Sequence, residues 1–421
     1  MTMSTNAIDV DDLGRRAQTM IDALGVISSD PARLVRLFLT PEHRRAADLV
    51  AGWMREAKLD VTEDALGTVR GHLAGAGSKR LLIGSHIDTV IDAGRFDGTF
   101  GVVAGILAAQ HIARSGKPLP FSIDVLAFGD EEGSRFSTTL SSSAAVAGIF
   151  DAARCAQIGV DDITLGDAVR AYGKNPDEIA AAAYLQREVA AYVEIHIEQG
   201  PVLEAGDQPL GVVTAIAGQT YFTVELTGEA GHAGTVPMRL RRDALAGASE
   251  MVLFAERVAR DYHGEVVATV GRMTVTPNAA NVIPANVTFT LDLRTTSDET
   301  RIEIADRFCA QAREVAERRH LGLAITQTRD TPTTPCDIRL QDGFAEATEA
   351  LGFKAPRLPS GAGHDGQAMS KLCPIGMLFV RCRGGISHNP TEYASPQDMG
   401  IAVAALIEFI LRFDVGAFSR D

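Results

Sequence analysis

Short and solidly apolar stretches recur in the first half of the chain and near its end, each bounded by glycine or by a polar cluster. They are RLLIGSH, FSIDVLAFGD, AAYVEIHIEQG and IGMLFVRCRGG. Between the first two lies GVVAGILAAQHIARSG, whose pattern predicts a helix. Residues 40–58 predict an amphipathic helix capped by Thr40, with Pro41 at its first position. Buried strands that alternate with helices favour an open, mostly parallel α/β sheet.

The pattern changes in the middle of the chain, where apolar and polar residues alternate along the predicted strands. TYFTVELTG precedes a helix, the strands GEVVATVGRMTV and NVTFTLDLRT, a second helix and the strand GLAITQTR. This order is that of a ferredoxin-like α+β unit, and the alternation implies one solvated sheet face. We therefore predict that residues 215–329 are a second domain, inserted into an α/β domain formed by residues 1–214 and 330–421. The alternative is one larger, continuous sheet.

Histidines and carboxylates follow the predicted strands of the α/β domain where each strand ends. Open α/β sheets bind ligands beyond the carboxyl ends of their strands, so these residues should meet at one edge. The candidates, in chain order, are His86, Asp88, Asp97, Glu131, Glu132, His196 and His388. A single histidine is more often a core or surface residue. Separate segments that bring such residues to one edge indicate a site instead.

The chemistry of these side chains favours a metal centre. Imidazole and carboxylate suit zinc and manganese, and two ions about 3.5–4 Å apart with a bridging carboxylate are a common hydrolytic design. Asp97 lies in a glycine-flanked loop, GRFDG, which suits a bridge. Asp88 follows His86 by two residues, a spacing that lets Asp88 orient the His86 ring for binding a metal ion.

Composition and charge narrow the possible partners. The 421 residues are 46% hydrophobic and 22% charged, with a net charge of −14, which argues against nucleic acid and anionic membranes. No apolar run reaches membrane-spanning length, and the first twelve residues lack the features of a signal peptide. The five cysteines are scattered, which disfavours a disulfide framework or a thiolate zinc site and favours the cytoplasm.

Seven ordered motifs between residues 20 and 410 resemble the hydantoinase/carbamoylase family of dinuclear metal amidohydrolases. They are GSHIDTV with GRFDGTFGV, DEEGSRF, EIHIEQGPVLE, GEAGHAGTVPM with RRDAL, NVIP with DLR, SGAGHDGQAM and GISHNP. The family includes allantoate amidohydrolases, N-carbamoyl-L-amino acid hydrolases and β-ureidopropionases. Among these branches, GMLFVRCRGGISHNP and AIAGQT are most similar to allantoate amidohydrolases.

The resemblance implies two divalent metal ions per subunit, Zn²⁺ or Mn²⁺. The implied ligands are His86, Asp97 and His196 for one ion, and Asp97, Glu132 and His388 for the other. Asp97 would bridge the two ions and Glu131 would be the general base. Because successive side chains point apart, the adjacent glutamates can have these two different roles.

The resemblance also implies contacts with a small ureido carboxylate substrate. The implied contacts are Gln199, His232, Asn281, Arg294 and Gly363, with His232 as a donor to the oxyanion and Arg294 as a clamp for the carboxylate. Without the resemblance, Arg294 is equally an exposed strand-end charge, and His232 and Asn281 are ordinary turn residues. The inserted domain resembles the family's lid and dimerisation domain, which implies a homodimer.

The expected reaction is hydrolysis of a ureido C–N bond, with allantoate giving ureidoglycine, ammonia and carbon dioxide. The alternatives are an N-carbamoyl-L-amino acid hydrolase, a β-ureidopropionase, a more distant peptidase or aminoacylase, and a non-catalytic binding protein on the same scaffold.

Three positions depart from the pattern of this branch. Tyr221, where many relatives of this branch have arginine, affects the choice of substrate, whereas Asp130 and Gly366 are minor departures. The basic loop with Arg381 and Arg383 favours a polar substrate, unless these arginines pair with acidic residues.

Overall fold

The structure is a computed structural model that describes residues 8–418. The α-helices are α1 Val10–Gly25, α2 Pro41–Glu56, α3 Thr99–Ser115, α4 Ser141–Val146, α5 Leu165–Ala171, α6 Val202–Ala205, α7 Ala244–Asp261, α8 Asp298–Arg318, α9 Ile338–Ala350, α10 Gly366–Met369 and α11 Pro396–Arg412. The strands are β1 Asp60–Glu63, β2 Val69–Leu73, β3 Arg80–His86, β4 Ser122–Phe128, β5 Val189–Ile197, β6 Leu210–Ile216, β7 Gly218–Thr227, β8 Val266–Thr269, β9 Met273–Thr276, β10 Asn286–Thr295, β11 Gly322–Thr331, β12 Thr334–Pro335, β13 Arg357–Ser360 and β14 Ile375–Val380.

The chain forms two compact units. The first comprises Met1–Thr214 with Cys336–Asp421, and the second comprises Ala215–Pro335. The sheet of the first unit has the strand order β1-β2-β4-β3-β5-β14-β6, with β13 also paired to β6. The central strands β4, β3, β5 and β14 run parallel, and β1, β2 and β6 are antiparallel to their neighbours. The prediction of an open, mostly parallel sheet is therefore confirmed.

The central parallel strands are apolar because both of their faces are covered. All residues of β4, β5 and β14 are buried, as are all residues of β3 after its first. The helix α3 packs against β3, β4 and β5, and α11 packs against α1, α3 and α9. Two covered faces explain why these strands contain continuous apolar runs rather than alternating ones.

The second unit is an antiparallel sheet with the strand order β11-β7-β10-β8, and β9 also pairs with β10. This is the order of a ferredoxin-like unit, so that part of the prediction is confirmed. Residues along β10 alternate between buried and more exposed positions, and α7 and α8 pack on the sheet. The segment GEVVATVGRMTV is two short strands rather than the single strand predicted, because Gly271 interrupts it.

The described part of the chain contains no disulfide bond and no helix that could span a membrane. None of the five cysteines, which all lie within residues 8–418, forms a disulfide bond, and Cys336, Cys373 and Cys382 are buried. Between residues 8 and 418, every helix is too short or too polar to cross a bilayer.

Candidate metal centre

The buried carboxylate of Asp97 is the point on which the predicted metal ligands converge. Its Oδ1 lies 3.7 Å from His86 Nε2 and 3.1 Å from His196 Nε2. Its Oδ2 lies 3.2 Å from His388 Nε2, which is in turn 3.5 Å from Glu132 Oε2. The first unit thus brings together these five side chains from four separate segments.

Strand ends and tight turns place these side chains. His86 ends β3, and His196 is the last residue but one of β5. Gly98, with φ of 65°, follows Asp97, and a Cβ on it would lie 2.4 Å from the His86 ring. Only glycine lets this loop pass so close to the imidazole. Asp130 begins the turn that carries the glutamates with φ of 63°, a value that aspartate tolerates better than most residues.

Glu131 and Glu132 face different histidines although they are adjacent in sequence. Glu131 Oε2 lies 3.9 Å from His86 Nε2, whereas Glu132 Oε2 faces His388. The carboxylate of Asp88 accepts hydrogen bonds from the backbone N–H groups of both glutamates, each at 3.3 Å. Asp88 therefore fixes the turn that presents them.

Backbone carbonyls set the orientation of the two buried histidines. The Nδ1 of His86 lies 3.1 Å from the backbone oxygen of Asp88, and the Nδ1 of His196 lies 2.9 Å from that of Ile197. A proton on each Nδ1 leaves the Nε2 lone pair directed at Asp97. The sequence predicted that Asp88 orients His86, but the nearer acceptor is its backbone oxygen, because its carboxylate Oδ1 is 3.6 Å away.

The cluster concentrates negative charge away from water. Burial raises the pKa of Glu131 well above its ordinary value, and the nearby Glu132 carboxylate adds to the effect. Burial and Asp97 likewise raise the pKa of Glu132 well above its ordinary value. Burial alone would raise the pKa of Asp97, but the His196 and His388 rings at its oxygens hold it well below the ordinary value. A divalent cation in this group would favour the ionised form of these carboxylates.

The arrangement fits two divalent ions that share one ligand. His86, Asp97 and His196 form one group whose ligand atoms lie within 4.8 Å of one another, and Asp97, Glu132 and His388 form another. A tetrahedral ion with bonds of about 2.1 Å separates its ligand atoms by about 3.4 Å, which is close to the observed distances. Among the described residues, His196 Nε2 is buried and has no hydrogen-bond partner. A lone pair that binds a metal ion accounts for this.

Two of the predicted substrate contacts belong to the same unit as the cluster. Gln199 donates from Nε2 to Asp97 Oδ2 at 2.9 Å and to Ser387 Oγ at 3.1 Å. Its side chain is thus held against the bridging carboxylate. A Cβ on Gly363 would lie 3.9 Å from Glu131 Oε1, so the backbone of this glycine borders the predicted base.

The other predicted contacts lie in the second unit, where His232 and Asn281 are neighbours. His232 pairs with Val282 in an isolated bridge, and the backbone N–H of Ala233 donates to the Asn281 oxygen at 3.0 Å. The backbone N–H of Gly234 donates to His232 Nδ1 at 3.1 Å. This Nδ1 is therefore the acceptor, and Nε2 of the neutral ring carries the proton.

Arg294 of β10 is held by two polar neighbours in the second unit. Its guanidinium donates to both oxygens of Asp292, at 2.8–3.1 Å, and to the Tyr221 hydroxyl at 2.7 Å. Arg329 lies over the same tyrosine ring, 5.5 Å from its centroid. Tyr221, the departure noted in the sequence, therefore contributes directly to the position of Arg294.

Arg381 forms ion pairs with two aspartates. Its guanidinium donates to both oxygens of Asp398, at 3.1 Å and 2.8 Å, and to Asp207 at 2.9 Å. Arg383 lies 4.7 Å from the ring centroid of Tyr393. The alternative in which acidic residues pair with the basic loop therefore holds for Arg381.

A group of buried residues behind the centre was missed from the sequence. Glu194 accepts hydrogen bonds from Ser85 Oγ at 3.1 Å and from the backbone N–H of Gly366 at 3.2 Å. The His364 ring packs edge-on against His196, with centroids 4.4 Å apart. The spacing offered a signal, since Glu194 is two residues before His196 and so points to the same face of β5.

Known proteins share the fold and much of the sequence of this chain. The sequence profile described as Peptidase family M20/M25/M40 matches residues 82–412. The chain belongs to this family. It is an amidohydrolase, and the resemblance to the hydantoinase/carbamoylase family is confirmed.

Two curated relatives and one solved structure illustrate the similarity. An allantoate deiminase of Arabidopsis thaliana is 39% identical over 94% of this chain and 81% of the relative. An N-carbamoyl-L-amino acid amidohydrolase of Geobacillus stearothermophilus is 38% identical over 96% of this chain and 99% of the relative. The crystal structure of a hydantoinase/carbamoylase family amidase from Burkholderia multivorans is 33% identical, with a TM-score of 0.89 over 94% of this chain and 97% of that one.

Removal of divalent ions should lower the melting temperature, and the decrease should become larger as the pH rises. The pKa of Glu132 is raised in the metal-free fold, so this carboxylate loses its proton as the pH rises and becomes both a repulsive charge and a stronger ligand. Differential scanning fluorimetry of chelator-treated and reloaded protein over a series of pH values measures the effect. A decrease that stays constant or becomes smaller with rising pH would contradict this account of the centre.

Proposed function

We propose that this amidohydrolase hydrolyses a ureido C–N bond of a small carboxylate, with allantoate as the preferred substrate. The observation that carries the proposed hydrolysis is the convergence of His86, His196 and His388 on the buried Asp97, with Glu131 at the edge of the cluster. The support for allantoate is the similarity, at 39% identity, to relatives named as allantoate deiminases. Allantoate and one water would give ureidoglycine, ammonia and carbon dioxide. The relatives named as N-carbamoyl-L-amino acid amidohydrolases make an N-carbamoyl-L-amino acid the second candidate substrate.

Two divalent ions, zinc or manganese, would be held through the shared Asp97. When bound, they supply positive charge that polarises the ureido carbonyl and favours the ionisation of water. Glu131 then takes the water proton and returns it to the leaving nitrogen. Burial and neighbouring carboxylates raise the pKa of Glu131, which suits a group that both accepts and donates a proton.

The second unit would supply the contacts that orient the substrate. The proton on His232 Nε2 makes this ring a donor suited to the oxyanion, an interaction typically worth about 3 kcal/mol. Arg294 would bind the substrate carboxylate, because Asp292 and Tyr221 hold its planar fork in one orientation. Asn281, beside His232, would complete this side of the site.

Glu131→Gln should keep both metal ions but lower kcat by about 10²–10⁴-fold, because the amide cannot accept the water proton. Glu132→Gln should instead lose occupancy of the ion on the His388 side, because its carboxylate faces that histidine. Each variant is the matched control for the other, since both remove one charge from the same turn. Elemental analysis with ammonia-release assays would distinguish them, and the reverse result would exchange the two roles.

Allantoate should have a higher kcat/KM than N-carbamoyl-leucine or N-carbamoyl-methionine with both the manganese and the zinc form. Arg294→Lys should lower kcat/KM for allantoate by about 10- to 100-fold, because a lysine cannot form the two-pronged bond. Competition kinetics with ammonia detection measures both effects. A clear preference for the apolar carbamoyl substrates with both metals would identify an N-carbamoyl-L-amino acid hydrolase.

We also propose that the second unit pairs two subunits and acts as the lid of the site. Among residues 8–418, the strands β8 and β9 at one edge of its sheet pair only with β10, and Leu253 of α7 and Val267 of β8 are 58% and 55% exposed. Exposed apolar residues beside an edge strand are typical of an interface. The scattered cysteines, which form no disulfide bonds, support a cytoplasmic location.

Sedimentation of the full chain should give about twice its mass of 44.7 kDa. Val267→Lys should shift the protein towards monomer, because it places a charge at the proposed interface. Ile338→Lys is the matched control, since Ile338 is an apolar residue of the first unit that is 58% exposed. A strictly monomeric and fully active enzyme would exclude the proposed dimer.

A further inference from the structure

Glu392 is a buried carboxylate that joins two loops of the candidate metal centre. Its Oε1 accepts hydrogen bonds from the backbone N–H groups of Phe96, at 2.9 Å, and Asp97, at 3.1 Å. Its Oε2 accepts a hydrogen bond from Ser387 Oγ at 2.8 Å. The side chain is 4% exposed, so water does not replace these partners. Glu392 thus fixes the backbone that carries Asp97 and the residue that precedes His388.

The loop around Asp97 is shaped to receive this carboxylate. A Cβ on Gly94 would lie 2.2 Å from Glu392 Oε1, so any larger residue would displace the glutamate. Two consecutive N–H groups directed at one oxygen form a small anion-binding turn. Ser387 Oγ accepts a hydrogen bond from Gln199 Nε2 at 3.1 Å, and the same amide donates to Asp97 Oδ2 at 2.9 Å, so the network continues to the carboxylate of Asp97 itself.

The contacts of Glu392 support one of the two proposed ion sites more than the other. The site on the His388 side takes two of its ligands, Asp97 and His388, from the loops that Glu392 joins. The other site takes only Asp97 from these loops, since His86 and His196 belong to β3 and β5. Loss of Glu392 should therefore loosen one site more than the other.

We propose that Glu392 is the positioning residue of the ion site formed by Asp97, Glu132 and His388. It holds two ligand-bearing loops at the separation that this ion needs, and it does not bind the ion. The inference rests on the proposed dinuclear centre, and it does not depend on which ureido compound is the substrate. A carboxylate with a purely structural role would affect stability without favouring one ion over the other.

The test is the metal stoichiometry and affinity of full-length protein, stripped and reloaded with zinc or manganese without substrate. Glu392→Ala should retain about one ion per chain and bind the second at least about tenfold more weakly, as is typical for loss of a residue that supports metal ligands. Glu392→Gln should recover most of this affinity, because its amide oxygen still accepts from the two N–H groups. Gly94→Ala should reproduce the selective loss, although it removes no polar group.

Asp64 provides a matched control. Its carboxylate also accepts hydrogen bonds from two backbone N–H groups, those of Leu66 at 2.9 Å and Thr68 at 3.1 Å, and it pairs with Arg70. Asp64→Ala should lower the melting temperature and leave two ions per chain bound with unchanged affinity. Equal weakening of both sites in Glu392→Ala, or the same selective loss in Asp64→Ala, would overturn the inference.

The remaining outcomes are also decisive. If Glu392→Ala does not fold, Gly94→Ala and Glu392→Gln decide the question, and unchanged affinity for both ions in Gly94→Ala would reject the positioning role. If the unmodified protein binds fewer than two ions, the dinuclear centre itself is wrong and the inference is rejected with it. Two ions in the unmodified protein with unchanged binding in Glu392→Ala would reject the inference alone.

Discussion

The site depends on the burial of one negative charge, the carboxylate of Asp97, among three imidazole rings. An isolated carboxylate is costly in such an environment, so its neighbours must compensate for it. Gln199 donates to its Oδ2, and Glu392 binds the N–H group of its own backbone. The neighbouring loops, the tight turn at Gly98 and the orientation of the histidines are all arranged around this charge. In the proposed dinuclear centre, the same carboxylate would be the ligand that the two cations share.

The sequence predicted the strands and the candidate metal ligands of this arrangement better than the residues that hold those ligands in place. Continuous apolar runs and polar strand ends were sufficient to predict a parallel sheet with His86, Asp97 and His196 at one edge. Glu392 could not be distinguished from a surface glutamate, because its partners are backbone N–H groups of a loop 295 residues away in the chain. Backbone partners of this kind leave no trace in the identities of side chains.

Prediction from the sequence was also incomplete for the second unit. The alternation of residues predicted its sheet, but Gly271 divides a strand that the apolar pattern presented as continuous. The position of Tyr221 opposite Asp292 follows from the pairing of β7 with β10, which a linear sequence does not give. The strand register therefore places Tyr221, which departs from the family pattern, beside Arg294 as a polar partner.

The strand order has a consequence for the synthesis of the protein. In the first unit β14 lies between β5 and β6, although about 160 residues, including the whole second unit, separate β6 from β14 in the chain. During translation β5 and β6 emerge from the ribosome long before the strand that joins them. Until residues 375–380 arrive, the edges of β5 and β6 that β14 will cover have no partner strand, and unpaired edges of this kind favour aggregation.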